Sequence, residues 1–509
     1  MIKFLKFMTF QKYYNMISNN KNIHFKYYLG NRIIIKKRIL LIPVILIALI
    51  SCKKFVDVSV PYTATTSNTV FNSDGTAIAV LTGIYADLSQ KGNNLSSGFT
   101  NISTMTGLSA DELKLHSGIS NVSQVAYYRN DLSTSKGGFE YWQVCYPYIA
   151  KCNAAIEALN NATGLSSNVK KQLLGEAKFL RAFFYFYLVN LYGDVPLVTS
   201  TDFKVNQSLP RSQKSEVYKQ IISDLKDAQE FLDNNYLNET LQAYTGTPEK
   251  VRPNKFTATS LLSRVYLYNS EWSNAEAQAS LIINSGVYSL DSLNGVFLKN
   301  SKEAIWQLQP TRSGRNTEDA WRFIIPASGP GGNYPVYLSN NLLNSFEIAD
   351  QRKSKWIGTR TIGTNTYSYP YKYKSATLNA PVTEYLMVFR LGELYLIRAE
   401  ARTKQNNLSG AISDLDNIRQ RAGLPLIAII NPGISQSDLL DKILHERQIE
   451  LFSEWAHRWL DLKRTGNVDA VMTLVAPQKS GVWQTTDHLY PIPITDIQKD
   501  PNLTQNSGY

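Results

Sequence analysis

The side chains in this sequence that could do chemistry gather in a few places, and each place admits a different chemistry. The segment HERQIELFSEWAHRW (445–459) holds His445, Glu446, Glu450, Glu454 and His457, residue types that bind zinc or move protons. A zincin helix needs two His four residues apart with Glu beside the first, so that both imidazoles share one face. Position 449 is Ile, and the pattern fails. Glu446, Glu450 and Glu454 form an i,i+4 stripe instead. Arg447 and Arg458 are placed to answer it, and Phe452, Trp455 and Trp459 supply apolar packing, which is the pattern of structural ion pairing along a packed helix. Asp111-Glu112 is the most conspicuous acidic pair elsewhere. Adjacent side chains diverge, so helix capping or solvation fits it better than the paired carboxylates of glycoside hydrolysis. There is no GxSxG and no phosphate loop, and only four His follow residue 51. Nucleophilic and metal chemistry lack support, and neither a cofactor nor a metal is expected.

What remains is binding by aromatic surfaces. A sugar ring offers an apolar face of C–H groups that stacks on Trp or Tyr, while its hydroxyls need Asn, Asp, Arg or Gln to replace lost water. Trp321, Arg322, Tyr334 and Tyr337 surround the Gly/Pro-rich loop PASGPGGNYPVY (326–337), with Asn316, Asp319 and Asn333 nearby. That composition suits a stacking platform. It equally suits a Trp321 that plugs the loop onto the body. Tyr127 and Tyr128, beside Arg129, are a second candidate, and Trp306 in an apolar strand-like run belongs to the core. The run YSYPYKYK (367–374) alternates like a strand with a solvated edge; contact with an anionic ligand or a partner is the sharper reading.

Cys52 carries a chemistry of its own. Lys36-Lys37-Arg38, the twelve-residue run Ile39 to Ile50 and the tetrapeptide Leu49-Ile50-Ser51-Cys52 have the order of a bacterial lipoprotein signal. The run spans about 18 Å as a helix, short of the roughly 30 Å hydrocarbon core, so cleavage before Cys52 is expected rather than a permanent span. Leu at minus three and Ser at minus one resemble a lipobox, in which the Cys thiol takes diacylglycerol and the freed amine a further acyl chain. Several chains anchor stably, each buried methylene adding about 0.8 kcal/mol. The 38 residues ahead of the apolar run make a long leader, which fits an overextended start.

Charge excludes one class of partner. The chain carries +12, but residues 1 to 51 hold nine Lys/Arg and no Asp/Glu, so the remainder has 44 against 41, or +3. The basic character belongs to the leader, and nucleic acid is a poor partner. Cys145 and Cys152, seven apart in one helical pattern, would lie about 10 Å apart along its axis and cannot bridge.

These residues need elements to hold them. KKQLLGEAKFLRAFFYFYLVNLYGDVPLV repeats Leu173, Ala177, Leu180, Phe184 and Leu188 at helical steps and stops at Gly193-Asp194 and Pro196. Two later segments share a finer pattern, in which a small residue of one helix precedes an Ala of the next by twelve: Ser263 with Ala275, and Ala399 with Ala411. Small residues there let paired helices approach closely, the packing logic of tetratricopeptide repeats. Between them, from 287 to about 380, the texture turns to short apolar pieces and Gly/Pro-rich loops. A last helical stretch, LLDKILHERQIELFSEWAHRWLDLKRTG, precedes an extended tail.

Six segments together resemble the SusD/RagB-like family of outer-membrane lipoproteins that capture nutrients. They are NAAIEAL from Asn153, AKFLRAFFYFYLVNLYGDVPLV from Ala177, FEIADQR from Phe346, FRLGELYLIRAEA from Phe389, ILHERQIELFSEWAHRWLDLKR from Ile443, and LYPIPITDIQKDPNLTQNSGY from Leu489. The resemblance implies a mostly α fold, with about four tetratricopeptide-like helix pairs and an inserted lobe of loops and short strands carrying the ligand surface. The organisation expected is a signal over 1–51, a lipidated tether over 52–72, a helical region over 73–286, and a region over 287–509 with the ligand loops and last helix pairs. The function implied is non-enzymatic: capture of an oligosaccharide and its delivery to a TonB-dependent SusC-like transporter at the cell surface. A peptide ligand, a surface glycoside hydrolase and a protein-binding scaffold stand as the alternatives.

Overall fold

Helix ends in this chain are set by side chains that take over free backbone groups. Asn254 accepts from the Thr257 amide at 3.0 Å in a reciprocal capping box, and Ser435 and Asn407 accept from Asp438 and Gly410, each at 3.1 Å. Gly423, at φ 75°, ends its helix in the left-handed conformation that glycine adopts without strain. The computed structural model describes residues 70–89 and 101–509. The leader, Cys52 and all but the last three residues of the expected tether lie outside the described residues.

The main elements run α1 (Asp74–Ser89), α2 (Ile102–Ser109), β1 (Leu113–Leu115), α3 (Val122–Arg129), α4 (Glu140–Asn161), α5 (Ser167–Tyr192), α6 (Lys214–Phe231), α7 (Lys255–Tyr268) and α8 (Trp272–Ile283). A lobe follows with β2 (Ala304–Leu308), α9 (Glu318–Phe323), β3 (Val336–Leu338), β4 (Ile357–Ile362), β5 (Asn365–Pro370) and β6 (Leu386–Arg390). The chain then returns to helices with α10 (Leu391–Lys404), α11 (Leu408–Ala422), α12 (Gln436–Glu450), α13 (His457–Arg464) and α14 (Val468–Val475).

The fold is mostly α, as expected. Helices pack in succession, α4 on α5, α5 on α6, α6 on α7, α7 on α8, α8 on α10, and α10 on α11 and α12. This is the stacking of tetratricopeptide-like pairs. The twelve-residue pattern marks real contacts: Ser263 and Ala275 are both buried, with the Ser263 hydroxyl donating to the Ala275 carbonyl at 3.0 Å. Ala399 and Ala411 are buried likewise. Next to Ser263, Arg264 of α7 makes two 2.6 Å bonds to Glu393 of α10. The centre of the body is α5, buried from Leu173 through Tyr192 apart from Lys178. Cys145 and Cys152 are free and buried on α4, and burial raises both thiol pKa values.

Strands appear where the texture changes. β2 and β6 pair antiparallel inside the core, and Trp306, fully buried, donates its indole N–H to the Val251 carbonyl at 3.0 Å. β4 and β5 form a hairpin, while β1 reaches across the sequence to pair antiparallel with β3, setting Lys114 opposite Tyr337.

The last helical stretch departs from expectation. It breaks between α12 and α13, where Ser453, Trp455 and Ala456 take φ of 55°, 42° and 67°. A left-handed Trp is strained by about 1–2 kcal/mol. The compensation is visible: the Trp455 indole donates to the Met387 carbonyl at 2.6 Å, and its amide donates to Ser103 Oγ at 2.8 Å.

Candidate functional site

α9 is a single short helix, capped by Thr317, whose hydroxyl accepts from the Ala320 amide at 3.1 Å. Its phase sorts the residues of the expected platform. Asp319, Arg322 and Phe323 turn inward and are buried, whereas Trp321 is half-buried. Arg322 hydrogen-bonds Asn101 Oδ1 inside the fold. Asn316 is also buried and clamps the loop, its Oδ1 accepting from the Thr383 and Glu384 amides at 2.8 and 3.1 Å and its Nδ2 donating to the Pro381 carbonyl. Asn316 and Arg322 are thus tied into the fold by hydrogen bonds, and Asp319 is buried on the same helix as Arg322.

Trp321 carries a neighbour that sequence reasoning missed. The Arg315 guanidinium lies 3.9 Å from its ring centroid, within cation–π range. Glu318 is 4.0 Å from Arg315 and 3.6 Å from Arg312. Among the described residues nothing accepts a hydrogen bond from the Arg315 side chain, so a flat group with unspent donors is held on an indole. Burial and the nearby Arg312 lower the Arg315 pKa, opposed by Glu318 and Tyr334. Asn333 is exposed on the tight turn where Gly331 and Tyr334 exchange backbone bonds of 3.1 and 2.9 Å.

Tyr337 leads to a second group. Its ring meets Tyr367 of β5 edge-on at 5.2 Å, and Tyr367 meets His116 at 6.0 Å. Lys114 stands across the β1–β3 pair with Nζ 5.9 Å above the Tyr337 ring. Tyr128 joins them, half-buried, its pKa raised by burial and then by Tyr337, and lowered by Arg129. The structure thus brings Tyr128 and Tyr337 together and adds Lys114, Tyr367 and His116. Tyr127 goes the other way. It is wholly buried, donates to Glu140 Oε2 at 2.9 Å and packs edge-on against Tyr490, so it is core.

Beside Tyr128 lies a cleft of about 60 Å³ lined by Asp111, Lys114, Asn340, Asn341 and Gln478. That is well short of about 300 Å³, from which enclosed ligand pockets run. At its floor Lys479 Nζ donates to the carbonyls of Leu108, Ser109 and Ala110 at 2.9, 3.0 and 3.0 Å, a cation placed on the C-terminal end of α2. Burial pulls its pKa down to about 7, against the pull of Asp111.

Asp111 and Glu112 are neither caps nor solvated, contrary to expectation. Arg458 holds Asp111 through two 2.7 Å bonds. Glu112 is buried, and burial with the adjacent Asp111 pushes its carboxyl up to about 8. The Asp111 carboxylate is thus taken up by Arg458.

The 445–459 segment splays its candidates apart. His445 Nε2 bonds the Ser345 carbonyl at 2.8 Å, and His457 is buried elsewhere. Ion pairing is the right reading with the wrong partners. Glu446 and Glu450 both bind Arg352, at 2.6 and 2.9 Å, and Glu450 binds Arg390 at 2.6 Å and also Arg421. Glu454 binds Lys372 at 2.5 Å and Arg390 at 2.9 Å. Arg447 pairs with Asp461, and Arg458 with Asp111. Lys372, expected at a solvated strand edge, is buried in this network, with Nζ 4.1 Å from the Phe452 ring.

A body of stacked helix pairs that displays rings and donor groups on an open lobe has the build of a mostly helical binding protein. Solved structures share the mostly helical fold: a SusD superfamily protein from Bacteroides vulgatus superposes with a TM-score of 0.72 at 20% identity, covering 86% of this chain and 99% of that one. Surface glycan-binding protein A from Bacteroides fluxus gives 0.70 at 23% identity, covering 86% and 99%. In sequence, residues 351–509 match the SusD family, and residues 54–267 match a family described as starch-binding and associating with the outer membrane. A SusD-like protein, P2, of Formosa agariphila is 26% identical over 424 residues, 72% of this chain and 80% of that protein. The chain belongs to the SusD/RagB-like family, a family of carbohydrate-binding proteins. Among the described residues no helix is long and apolar enough to cross a membrane.

Proposed function

We propose that this protein is a lipid-anchored glycan-capture protein of the outer membrane that passes oligosaccharides to a TonB-dependent SusC-like transporter. The observation that carries the reading is the Arg315 guanidinium lying 3.9 Å over a half-buried Trp321, with Tyr334 and the exposed Asn333 in the loop that follows α9. Rings take the C–H faces of sugars, and unspent guanidinium and amide donors replace the water their hydroxyls lose. Tyr337, Tyr367 and Tyr128 extend the ring surface across β3 and β5. The family's description as starch-binding and outer-membrane-associated, and the glycan-binding name of the Bacteroides fluxus protein, support the ligand class. The shallow face suits handover: a ligand held between this face and a transporter loses more solvent contact than on either alone, which biases the assembly toward closure.

The test is titration calorimetry of the purified protein against the glycans that a glycan array picks out, with Trp321→Ala and Tyr337→Ala alongside. Central aromatic anchors of an interface carry 2 kcal/mol or more, so each variant is expected to bind at least about tenfold more weakly with its melting temperature little changed. Unchanged affinity in both variants would sink the site.

A further inference from the structure

The charges that line the ring surface name the kind of sugar it takes. Lys114 sits across from Tyr337 on the exposed side of the β1–β3 pair, and Arg129 is exposed at the end of α3 beside Tyr128. Arg315 stands over Trp321. Lys114 and Arg129 have no ion pair and no side-chain hydrogen bond among the described residues. The separation of 5.9 Å between Lys114 Nζ and the Tyr337 centroid is at the outer limit of a cation–π contact, so that ammonium keeps its donors for something else. The acids that approach this face are already committed. Asp111 is held by Arg458 through two 2.7 Å bonds, and Glu318 lies between Arg312 and Arg315. Buried cations of the body are answered closely, as Glu393 answers Arg264 and Asp414 answers Arg398, each at 2.6 Å. Positive groups left without an acid beside a row of rings form a surface complementary to rings that bear negative groups.

We propose that the glycan is acidic, a uronic-acid or sulfated oligosaccharide whose anionic group sits against Lys114 and Arg129 while sugar faces lie on Tyr337 and Tyr128. This rests on the preceding reading of the lobe as a glycan-binding face. A neutral sugar would leave these cations to water; an anionic one gains charge-assisted hydrogen bonds from them. The contact is exposed, so salt weakens it, with screening over about 8 Å at physiological ionic strength.

The experiment uses paired probes and the purified protein. Oligogalacturonate is compared with its methyl ester, and carrageenan oligosaccharides with their desulfated form, so that the two pairs separate carboxylate from sulfate. At least one acidic probe is expected to bind about tenfold or more tighter than its neutralised partner. Lys114→Gln should reduce that preference with the melting temperature unchanged, Lys114→Gln with Arg129→Gln should reduce it further, and raising salt should weaken acidic-probe binding more in the wild type than in either variant. No acidic probe binding, or equal binding within both pairs, overturns the proposal. Tyr337→Ala separates the two readings. If it abolishes binding to a neutral array glycan while acidic probes show no preference, the glycan face stands and its acidic selectivity falls; if it leaves all glycan binding intact, the face itself is wrong.

Discussion

Arg315 and Asn316 are adjacent in sequence, two residue types that both suit a ligand contact, and the structure places the two differently. Asn316 is buried on three backbone groups, while Arg315 covers Trp321. Composition points to this loop but not to which of its side chains lie outward, because a helix of six residues turns about 100° per step and its phase is set by what lies beneath. Tyr127 and Tyr128 show the same limit: neighbours in sequence, one in the core and one on the face. Glu112 gives the sharpest residue-scale prediction. Its folded pKa of about 8 stands above the ordinary 4.5, so the folded state holds a proton that the unfolded state releases. The stability this group contributes is fully present below about pH 4.5 and is lost as pH rises through about 8. Glu112→Gln keeps a neutral, hydrogen-bonding group. It is expected to be more stable than the wild type at pH 9, to approach it at pH 5, and so to flatten this part of the pH profile, as read by thermal unfolding. An equal shift at both pH values would show that Glu112 does not titrate in this range.

At the scale of elements, sequence and structure agree where packing is periodic and part where it is not. Ser263 with Ala275 and Ala399 with Ala411 were legible because close helix approach demands small residues at fixed spacing. The break between α12 and α13 was not legible, since HERQIELFSEWAHRW has helical propensity throughout and is overridden by tertiary contacts. Those contacts are ionic. Glu450 is buried among Arg352, Arg390 and Arg421, which join the FEIADQR segment, β6 and α11 to the end of α12. Burial alone would raise its pKa, but the three guanidiniums outweigh burial and hold it well below the usual carboxylate range. Removing one member leaves the others charged and dry, which costs about 3–5 kcal/mol, whereas surface pairs are worth about 1 kcal/mol or less. Glu450→Ala is therefore expected to lower the urea midpoint strongly, and Glu276→Ala, which breaks a part-exposed pair with Arg402, to shift it little. Similar shifts in the two variants would mean that the network is not the fastening that it resembles.

For the molecule as a whole, the most specific expectation from sequence falls on a segment that lies outside the described residues. The order of cations, apolar run and Cys52 concerns where the protein resides, and charge accounting separates that signal from the rest: nine cations fall before Cys52, and the remainder carries only +3. Residues Ser67–Tyr509 form one compact unit with its own core. If Cys52 carries the anchor, a change there is expected to alter location without altering folding. With each buried methylene adding about 0.8 kcal/mol, several acyl chains on one residue hold a protein against washing, while one chain does not. The wild type is expected in the membrane fraction after a high-salt wash and to incorporate labelled palmitate. Cys52→Ser should leave the membrane fraction, take up no label, and bind glycan with the affinity and melting temperature of the wild type. Retention of the variant at the membrane, with the label still absent, would mean that attachment comes from elsewhere in the chain or from a tightly held partner, and copurification of a β-barrel with the variant would choose the partner. Loss of glycan binding on release would tie capture to the assembled surface complex and remove the ring face of the lobe as a self-sufficient site.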